Sequence, residues 1–400
     1  MTETAAPYDV RIYGLVPTLL TEAKPQTVYY DKAKRVRAER FDGGLHLYRV
    51  DDIRRINSHP AVLGTGGRGP LLSGGAPLIP LDIDGPDHKK WRRLLDPMFS
   101  PKNVLLLEDR VRSLAADLLD PIAPVGRSEL YQEFCVPLPC LTFLRLIGAP
   151  LEDLDFLLEF SQGIIHPEGD TAEEVNASMA VAGAKILEYF VGFLADKRRN
   201  AEHEDDIIAN LIKSEVEGQP LEEADLINIV FLLMFAGLDT VTSSLSCMFN
   251  YLGQHPEQRR ALVDDMSLLP AAIEELLRYE SPSPAGMRYP QEDIDLGEGL
   301  VAKAGEAIAI VLAAGNMDPT HFSDPLVVDW GRRRADHLAF ASGTHRCLGS
   351  HLARLELRLS LEEFLTRIPE YTVLADDVVY NNTAVRSVQN LQITFAPVTG

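Results

Sequence analysis

The sequence predicts a mainly α protein with small β-sheets. Apolar residues recur at helical spacing through most of residues 86–280 and again through 350–368. Short strand-like segments are confined to about 43–50, 285–315 and 371–396. Hydrophobic residues make up 46% of the chain and charged residues 24%, which is enough apolar material for a sizeable core. We therefore expect helix to dominate and the strands to lie at the periphery.

Turn residues and apolar runs divide the chain into its elements. A strand at 43–50 precedes a helix at 51–60. The Gly- and Pro-rich loop 64–80 that follows is too long for a simple connector, which indicates a functional loop. An irregular stretch occupies about 315–349. Further helices are predicted at 88–99, 103–122, 152–165, 171–200, 221–253, 270–280 and 350–368.

The longest predicted helix runs from Leu221 to about Gly253. Its first turn is acidic, which suits the positive end of a helix dipole, and it stops at Gly253 and Pro256. At 1.5 Å per residue it would be about 50 Å long, enough to cross a whole domain. Its middle is apolar on nearly all sides, so we expect it to be buried.

Length and charge limit the class of protein. Four hundred residues suit two or three ordinary domains, although large single-domain α proteins also reach this length. The formal net charge is −21, from 38 basic and 59 acidic residues, which argues against nucleic acid as a general partner. A local basic patch could still bind an acidic protein.

Targeting signals and cysteine spacing indicate the compartment. The N-terminus lacks a signal pattern, and the most apolar stretch, 226–238, is shorter than the roughly 20 residues that span a bilayer. We therefore expect a cytoplasmic protein without a membrane anchor. The cysteines form neither a CxxC pair nor zinc spacing, which argues against a disulfide framework or a zinc site. They are Cys135, Cys140, Cys247 and Cys347.

The segment FASGTHRCLG, residues 340–349, places two glycines, a histidine and a cysteine directly before a predicted helix. Gly343 and Gly349 allow positive φ and a close approach of the backbone to a ligand. The helix dipole and free N–H groups lower a thiol pKa, so we expect Cys347 to be a thiolate suited to one metal bond. The alternative is that this lone cysteine is a buried packing residue.

This segment resembles the F-x-x-G-x-H/R-x-C-x-G loop of the cytochromes P450, the haem-thiolate monooxygenases. The matching residues are Phe340, Gly343, His345, Cys347 and Gly349. Position 341 is Ala where the family more often has Gly. The resemblance implies haem b as the cofactor, with Cys347 as the axial ligand of its iron and its thiolate helping to cleave the O–O bond of oxygen.

The resemblance covers about residues 40–395 and implies the cytochrome P450 fold. In that fold a triangular-prism helical domain holds the haem between the long central helix and the helix after the cysteine loop. The resemblance therefore implies a single domain over residues 1–400.

The middle of the long helix carries AGLDT, residues 236–240. Asp and Thr are unfavourable there, and the alternative is a Thr bonded back to the helix and an Asp paired with a distant cation. The segment resembles the family's A/G-G-x-D/E-T motif on the distal side of the haem. The resemblance implies that Ala236 and Gly237 lie against the cofactor and leave room for oxygen. It implies that Thr240 hydrogen-bonds the oxygen and that Asp239 relays protons.

A second family motif, E-x-x-R, matches Glu275 and Arg278 in EELLR. The two lie on one helix face, which alone is a routine surface pair. The resemblance implies that they bond a further arginine and support the haem loop. We choose Arg332 in WGRRR as that arginine, and Arg333 and Arg334 remain alternatives.

The resemblance also implies residues for the two haem propionates. His88 and Arg92 fit the family's H-x-x-x-R pattern, one helical turn apart. Arg288 stands at the family's strand arginine, and His345 is the fourth candidate. Arginine suits bidentate contact with a carboxylate.

The family's substrate-contacting segments correspond to mostly small or apolar residues in this chain. The predicted pocket residues are Leu72, Ile79, Ile165, Met234, Phe235, Met287 and Val385. They imply a small hydrophobic substrate of terpenoid, fatty-acid, steroid or aromatic type. Arg386 could hold a substrate carboxylate, but a structural role is favoured.

The implied reaction inserts one atom of O2 into that substrate. No flavin or nicotinamide motif is visible, so electrons from NAD(P)H would arrive through a separate ferredoxin reductase and an iron–sulfur ferredoxin. The ferredoxin would dock on a basic patch on the cysteine side of a monomeric protein. The patch would consist of Lys89, Lys90, Arg93, Arg346, Arg354 and Arg358.

Two other functions are compatible with a haem thiolate. A sensor or carrier would use Cys347 and the propionate residues but gives no reason for the Asp239–Thr240 pair. A peroxide-driven peroxygenase or an isomerising relative would not need that acid–alcohol pair, which favours oxygen activation.

Overall fold

The computed structural model describes residues 22–41, 44–64, 77–165, 171–200, 206–332, 336–374, 376, 378–380 and 385–398. Helix predominates among them, as the sequence predicts. A one-turn π-helix covers Tyr131–Cys135, and 3-10 turns cover Leu151–Asp153 and Met266–Leu268. The α-helices are α1 (Gln26–Arg35), α2 (Val50–Ser58), α3 (Gly85–Leu95), α4 (Pro101–Leu105), α5 (Glu108–Leu119), α6 (Pro137–Ile147), α7 (Leu154–Ile165), α8 (Ala172–Asn200), α9 (Ile207–Ile212), α10 (Glu223–Gln254), α11 (Pro256–Asp264), α12 (Leu269–Glu280), α13 (Leu312–Asn316) and α14 (Ser350–Arg367).

The strands form small sheets. The largest sheet among the described residues has the order β1-β2-β10-β7-β3, in which only the β2–β10 pair is parallel. A three-stranded antiparallel sheet, β11-β14-β4, joins the end of the chain to the segment before the π-helix. The strands are β1 (Ala38–Phe41), β2 (Gly44–Leu47), β3 (Val62–Leu63), β4 (Arg127–Glu129), β5 (Glu215–Val216), β6 (Gln219–Pro220), β7 (Gly286–Pro290), β8 (Ile294–Gly297), β9 (Leu300–Ala302), β10 (Ala307–Ile310), β11 (Tyr371–Val373), β12 (Val379–Tyr380), β13 (Val388–Asn390) and β14 (Gln392–Phe395).

The structure differs locally from the predicted elements. The helix predicted at 103–122 is two helices, α4 and α5, because the chain turns at Leu106 and Leu107. Residues 312–316, predicted as the end of a strand, form helix α13. Periodicity alone did not indicate either change, since no Gly or Pro stands at the break at Leu106 and Leu107, and residues 307–314 form one unbroken apolar run.

The long helix α10 lies between two hydrophobic clusters. Its first half, up to Leu238, packs in the cluster that contains Trp91, Phe143 and Phe190. Its second half, from Val241, packs in the cluster around Phe134 and other residues of the π-helix, α12 and α14. Asp239 and Thr240 therefore stand at the junction of the two clusters.

Helix α10 is also, among the described helices, the one that by length and composition could cross a membrane. More than half of its most apolar stretch is buried inside the fold, and it contacts α6, α12 and α14. Those contacts are the contacts of an interior helix, as the sequence predicts.

Candidate functional site

The cysteine loop, residues 340–349, is docked on the end of α2. The amide of Thr344 donates to the carbonyl of Asn57 at 3.3 Å, and the Asn57 side chain donates to Ser342 Oγ at 3.0 Å. Gly343 has φ +70°, and a Cβ on it would lie 2.0 Å from the Asn57 oxygen. Only glycine fits this contact, because any side chain would overlap the backbone of α2.

Cys347 ends the loop, three residues before α14 begins at Ser350. Its amide donates to the carbonyl of Phe340 at 3.0 Å, which closes the loop, and its side chain is exposed. Exposure distinguishes it from Cys135, Cys140 and Cys247, which are buried.

The prediction that the helix start lowers the pKa of Cys347 is wrong for the free thiol. Surrounding protein atoms bury the sulfur on most sides and raise the pKa, although the N–H of Gly349 and the charges of Arg92, Arg346 and Arg354 oppose the rise. The side chain is exposed, and the protein atoms around its sulfur nevertheless desolvate the thiol. A thiolate at this position is therefore favoured when a metal cation binds it, since coordination deprotonates a thiol.

Glu274 and Arg354 form an ion pair that supports the loop. The Arg354 guanidinium donates to both Glu274 oxygens, at 2.6 and 2.8 Å, and lies 4.4 Å from the centre of the Phe340 ring. His337 contacts Glu274 at 3.1 Å. Burial acts to raise the pKa of Glu274, but Arg354 and His337 outweigh it and lower the pKa to about 2. Sequence reasoning missed Glu274 because it stands beside the motif residue Glu275.

Glu275, Arg278 and Arg332 form one buried network. Glu275 Oε1 accepts from Arg278 Nη2 and from Arg332 Nε, both at 2.8 Å, and from the amide of Asp329 at 3.1 Å. Arg278 is 1% exposed and donates to the carbonyls of Asn316 and Pro325. The structure thus brings Arg332 to the pair; Arg333 and Arg334 lie outside the described residues.

The middle of α10 is open on one side. Ala236 is exposed in the middle of a mostly buried helix, and a Cβ on Gly237 would meet no atom within 4 Å. Leu233, Ala236, Gly237 and Thr240 follow the i, i+3, i+4, i+7 pattern of one helix face. Thr240 Oγ1 donates to the carbonyl of Ala236 at 2.9 Å, which is the back-bonded arrangement that the sequence left open.

Asp239 is desolvated and has no cation beside it among the described residues. Burial raises its pKa to about 7. The hydroxyl of Ser243, one turn along α10, opposes the rise without reaching full hydrogen-bond geometry. The alternative of an Asp held by a distant cation therefore has no support in the described residues.

His88, Arg92 and His345 meet beside the cysteine loop. The His88 and His345 rings lie 4.3 Å apart, and Arg92 Nη1 donates to the carbonyl of Arg346 at 2.8 Å. His88 is 1% exposed, its Nδ1 has no partner among the described residues, and burial with the charges of His345 and Arg92 lowers its pKa to about 4.

The other two propionate candidates, like Arg92, have partners within the protein. Nε2 of His345 contacts the Asp84 carboxylate at 2.8 Å, and the same oxygen accepts from the amide of Gly64 at 2.7 Å. Arg288 lies on β7, where its Nη1 donates to the carbonyl of Met287 at 2.6 Å. Asp84 was not predicted, because the sequence shows it only as an acid before a helix.

The predicted pocket residues divide into covered and half-buried side chains. Met234 and Ile79 are 0% and 2% exposed and pack in the cluster around Trp91. On α10, the open face carries Leu233 and not Met234. Phe235 and Met287 are half-buried, and Val385 is 8% exposed. Leu72 and the side chain of Ile165 lie outside the described residues.

Arg386 and a groove between α7 and α8 do not belong to the predicted pocket. Arg386 contacts Glu280 at 3.2 Å and donates to the carbonyls of Glu22 and Ala23, so it ties chain segments together, as favoured from the sequence. A groove of about 530 Å³ between α7 and α8, with Phe156 and Tyr189 in its wall, contains none of the predicted pocket residues.

Comparison with known proteins decides the family. The family model described as Cytochrome P450 matches residues 173–369. Cytochrome P450 CYP107DY1 from Priestia megaterium is 32% identical over 317 residues, which are 79% of this chain and 76% of that protein. The chain belongs to the cytochrome P450 family. It is accordingly an enzyme of the P450 monooxygenase class, a class that uses haem, O2 and electrons from redox partners.

Further P450 relatives agree over most of the length. Mycinamicin IV hydroxylase/epoxidase from Micromonospora griseorubida is 32% identical over 353 residues, 85% of each chain. The crystal structure of the myxobacterial cytochrome P450 CYP267B1 in complex with myristic acid superposes with a TM-score of 0.85 at 29% identity, covering 96% of this chain and 99% of that one. The predicted P450 fold is thereby confirmed.

The residues present fit the haem that the P450 family implies. The haem of a P450 needs a thiolate ligand, open apolar walls and donors for its propionates. Cys347 is exposed, and the sides of Gly237 and Gly349 are open to at least 4 Å. The unpartnered Nδ1 of the buried His88 is a donor or acceptor that still needs a partner.

Proposed function

We propose that this protein is a haem-thiolate monooxygenase that inserts one atom of O2 into a small hydrophobic molecule, with Cys347 as the axial ligand. The observation that supports this most is the exposed Cys347 at the start of α14, while α14 packs on α10, whose open face carries Ala236 and Gly237. When bound, the haem supplies the activation of O2, and the chain positions the reactants and protons.

The acid–alcohol pair of α10 has the groups for proton supply. Thr240 donates its own proton to the helix, so its oxygen is free to accept a hydrogen bond from a group bound at the open face. Asp239, with a pKa of about 7, changes protonation readily at neutral pH, which suits a general acid.

The supporting residues take the roles that the P450 resemblance implies. We assign His88 to the propionates in the first place, because its buried Nδ1 has no partner among the described residues. Arg92, Arg288 and His345 are the further proposed donors, and each already has a contact within the protein. Phe340, Gly343 and Gly349 shape the loop, and the Glu275–Arg278–Arg332 network fixes the segment before it. We also propose one domain over residues 1–400, supported by a core helix that contacts elements from both halves of the chain.

The substrate is proposed to be a terpenoid, fatty-acid, steroid or aromatic type of compound, with hydroxylation as the reaction. Half-buried Phe235 and Met287 supply an apolar wall. One relative is named a hydroxylase/epoxidase of mycinamicin IV, and one structural neighbour holds myristic acid; both names fit a hydrophobic ligand. Leu233, on the open face, joins the pocket residues.

Electrons are proposed to come from NAD(P)H through a reductase and an iron–sulfur ferredoxin in the cytoplasm. Within the predicted basic patch, Arg354 pairs with Glu274, Arg358 with Glu108 and Glu362, and Lys90 lies near Asp87 and Glu217. Lys89, Arg93 and Arg346 are exposed and make no ion pair with the described residues. These three cations are therefore the proposed docking charges.

Charge reversal tests this docking site. We expect Arg93→Glu to slow reduction by a ferredoxin and to weaken its dependence on ionic strength, while Lys34→Glu on α1, an exposed cation outside the patch, leaves both unchanged. Equal reduction rates in the two variants would remove the patch from the proposal.

The carbon monoxide difference spectrum of the reduced haem protein tests the function itself. A thiolate-type Soret shift in the wild type and in Cys140→Ala, lost in Cys347→Ser, is the expected result. Thiolate ligation that survives Cys347→Ser would overturn the assignment. A screen for ligand-induced spectral shifts then identifies substrates, and product formation with a redox partner separates an oxygenase from a sensor or carrier.

A further inference from the structure

The second half of α10 carries a stripe of polar side chains through the core. Asp239, Ser243, Ser246, Asn250 and Gln254 are spaced by four, three, four and four residues, which places them on one helix face. At 1.5 Å per residue the stripe is about 22 Å long. It begins at Asp239 of AGLDT, which is half-buried, and ends at Gln254, which is exposed.

The surface end of the stripe is hydrogen-bonded. Gln254 Nε2 donates to Asn250 Oδ1 at 2.9 Å, and Asn250 Nδ2 donates to the hydroxyl of Tyr380 at 3.0 Å. Further in, the amide of Val388 donates to Ser246 Oγ at 3.1 Å, and Ser246 Oγ donates to the carbonyl of Ser243 at 3.1 Å. Hydrogen bonds therefore occur at the surface end of the stripe and again one turn from Asp239, and none joins Ser246 to Asn250 among the described residues.

Two chain segments cover the inner end of the stripe. The π-helix Tyr131–Cys135 is pinned to α10 because Thr242 Oγ1 donates to the carbonyl of Cys135 at 3.1 Å. The segment before β13 is held to α10 through Cys247, whose thiol donates to the carbonyl of Arg386 at 3.5 Å. These contacts hold the segments that carry Tyr131 and Ser387 against α10.

Hydroxyl groups at this inner end lack partners. Ser243 Oγ and Ser387 Oγ are fully buried and reach full hydrogen-bond geometry with none of the described residues, and Tyr131 is 3% exposed. Ser243 nevertheless lies near enough to Asp239, and Ser387 to Tyr131, to lower the pKa of each. Burial raises the pKa of Tyr131, and the next largest cause is the negative charge of Asp239, so the phenol lies near that carboxyl group. Buried hydroxyls without protein partners are usually satisfied by ordered water.

We propose that Tyr131, Ser243 and Ser387, the hydroxyl cluster, form the inner section of a proton path that resupplies Asp239 from the surface end of the stripe. The inference rests on the proposed function, in which Asp239 gives up a proton as O2 is reduced by electrons from the redox partner. Each hydroxyl or ordered water then accepts a proton on one side and releases its own on the other. The net change is one proton taken from solvent and one returned to Asp239.

The three hydroxyls are positioning residues, because they act through Asp239 and do not touch the substrate. The described residues offer Asp239 no cation through which an ion-paired side chain could deliver protons instead. The path therefore depends on hydroxyl groups, and removing one while keeping its packing should interrupt it. Tyr131→Phe and Ser243→Ala make that change with little loss of volume.

Infrared spectroscopy of the resting protein tests the path without turnover. The carboxyl stretch of protonated Asp239, assigned by its loss in Asp239→Asn, shifts when the proton exchanges in D2O. We expect this exchange to slow by at least about tenfold, a barrier increase of about 1.4 kcal/mol, in Tyr131→Phe and Ser243→Ala. Ser360→Ala, which removes a buried back-bonded hydroxyl on α14, should exchange like the wild type.

Two further measurements keep the inference falsifiable. Ser243→Thr should restore fast exchange and Ser243→Val should not, which separates the hydroxyl from packing. In the haem protein, Tyr131→Phe and Ser243→Ala should raise the solvent isotope effect and peroxide release with a normal carbon monoxide spectrum. Exchange as fast in both variants as in Ser360→Ala would overturn the path, whereas an absent thiolate spectrum in the wild type would overturn the proposed function instead.

Discussion

The carboxylate of Glu274 accepts both hydrogen bonds of the Arg354 guanidinium, at 2.6 and 2.8 Å. The pair joins α12 to α14, and the same guanidinium covers the ring of Phe340 at the start of the cysteine loop. Glu275, the next residue, joins α12 to the segment around Arg332. Two adjacent carboxylates therefore hold the loop and the chain leading to it.

The Glu274 pair should make stability depend on acid pH. Its pKa of about 2 lies below the 4.5 of the unfolded chain, so its contribution is complete above about pH 4.5 and is lost as the pH falls toward 2. Glu274→Gln should therefore cost roughly 2–3 kcal/mol in urea unfolding at pH 7 and much less near pH 2.5. Glu257→Gln, on an exposed carboxylate of α11, is the control. An equal cost at both pH values would contradict the assignment.

Ala341 has φ +54°, which is a left-handed conformation. The P450 family more often has glycine at this position. This conformation costs an L-residue about 1–2 kcal/mol, and the greater freedom of glycine in the unfolded chain offsets about 0.5–1 kcal/mol. Ala341→Gly should therefore stabilise the protein by about 0.5–1 kcal/mol in chemical unfolding. Ala339→Gly, two residues earlier and without positive φ, should destabilise it. The same sign in both variants would contradict the argument.

Replacing each of the two glycines of the cysteine loop by alanine should have a different effect. A Cβ at Gly343 would meet the Asn57 oxygen at 2.0 Å, whereas a Cβ at Gly349 would meet no protein atom within 4 Å. Gly343→Ala should lower the unfolding free energy of haem-free protein by about 2 kcal/mol or more. Gly349→Ala should leave it within about 0.5 kcal/mol but reduce haem affinity, measured by haem titration. Equal stability loss in both would contradict the predicted difference.

The sequence predicts those features of the site that depend on local pattern. AGLDT, the cysteine loop and E-x-x-R are short motifs, and the structure places each on the element that the sequence indicates. Contacts between distant segments are different: Glu274 and Arg354 are 80 residues apart, and no periodicity relates them. The predicted lowering of the Cys347 thiol pKa was wrong for a related reason. A helix start is visible in the sequence, and the desolvation of the Cys347 sulfur by the surrounding fold is not.

Substitutions in the buried network of Glu275, Arg278 and Arg332 should destabilise the protein by different amounts. Arg278 is fully buried and donates two hydrogen bonds to Glu275 and three to carbonyl groups, so Arg278→Met leaves a buried carboxylate and several acceptors with fewer partners. We expect a loss of about 3–5 kcal/mol. Arg332→Met leaves Glu275 paired with Arg278 and should cost about 1–3 kcal/mol. Urea unfolding of both variants measures the order, and a larger loss for Arg332→Met would refute it.

The desolvated carboxyl group of Asp239, which the proposed function requires, should lower the stability of the native protein. Its pKa of about 7 is raised from 3.8, so the unfolded chain loses its proton first as the pH rises. Between about pH 4 and 7 the native state binds more protons than the unfolded state, and stability falls with rising pH by roughly 2–4 kcal/mol. Asp239→Asn cannot ionise and removes this loss.

Asp239→Asn should therefore be more stable than the wild type at pH 8 and nearly equal to it at pH 4, measured by chemical unfolding of haem-free protein. The same variant should slow product formation, because an amide cannot deliver the proton that the carboxyl group supplies. Ser360→Ala on α14 should show neither the pH-dependent gain nor the kinetic loss. If Asp239→Asn were no more stable than the wild type at pH 8, Asp239 would have to be solvated. The claim that it is a desolvated acid at the junction of the two core clusters would then be refuted.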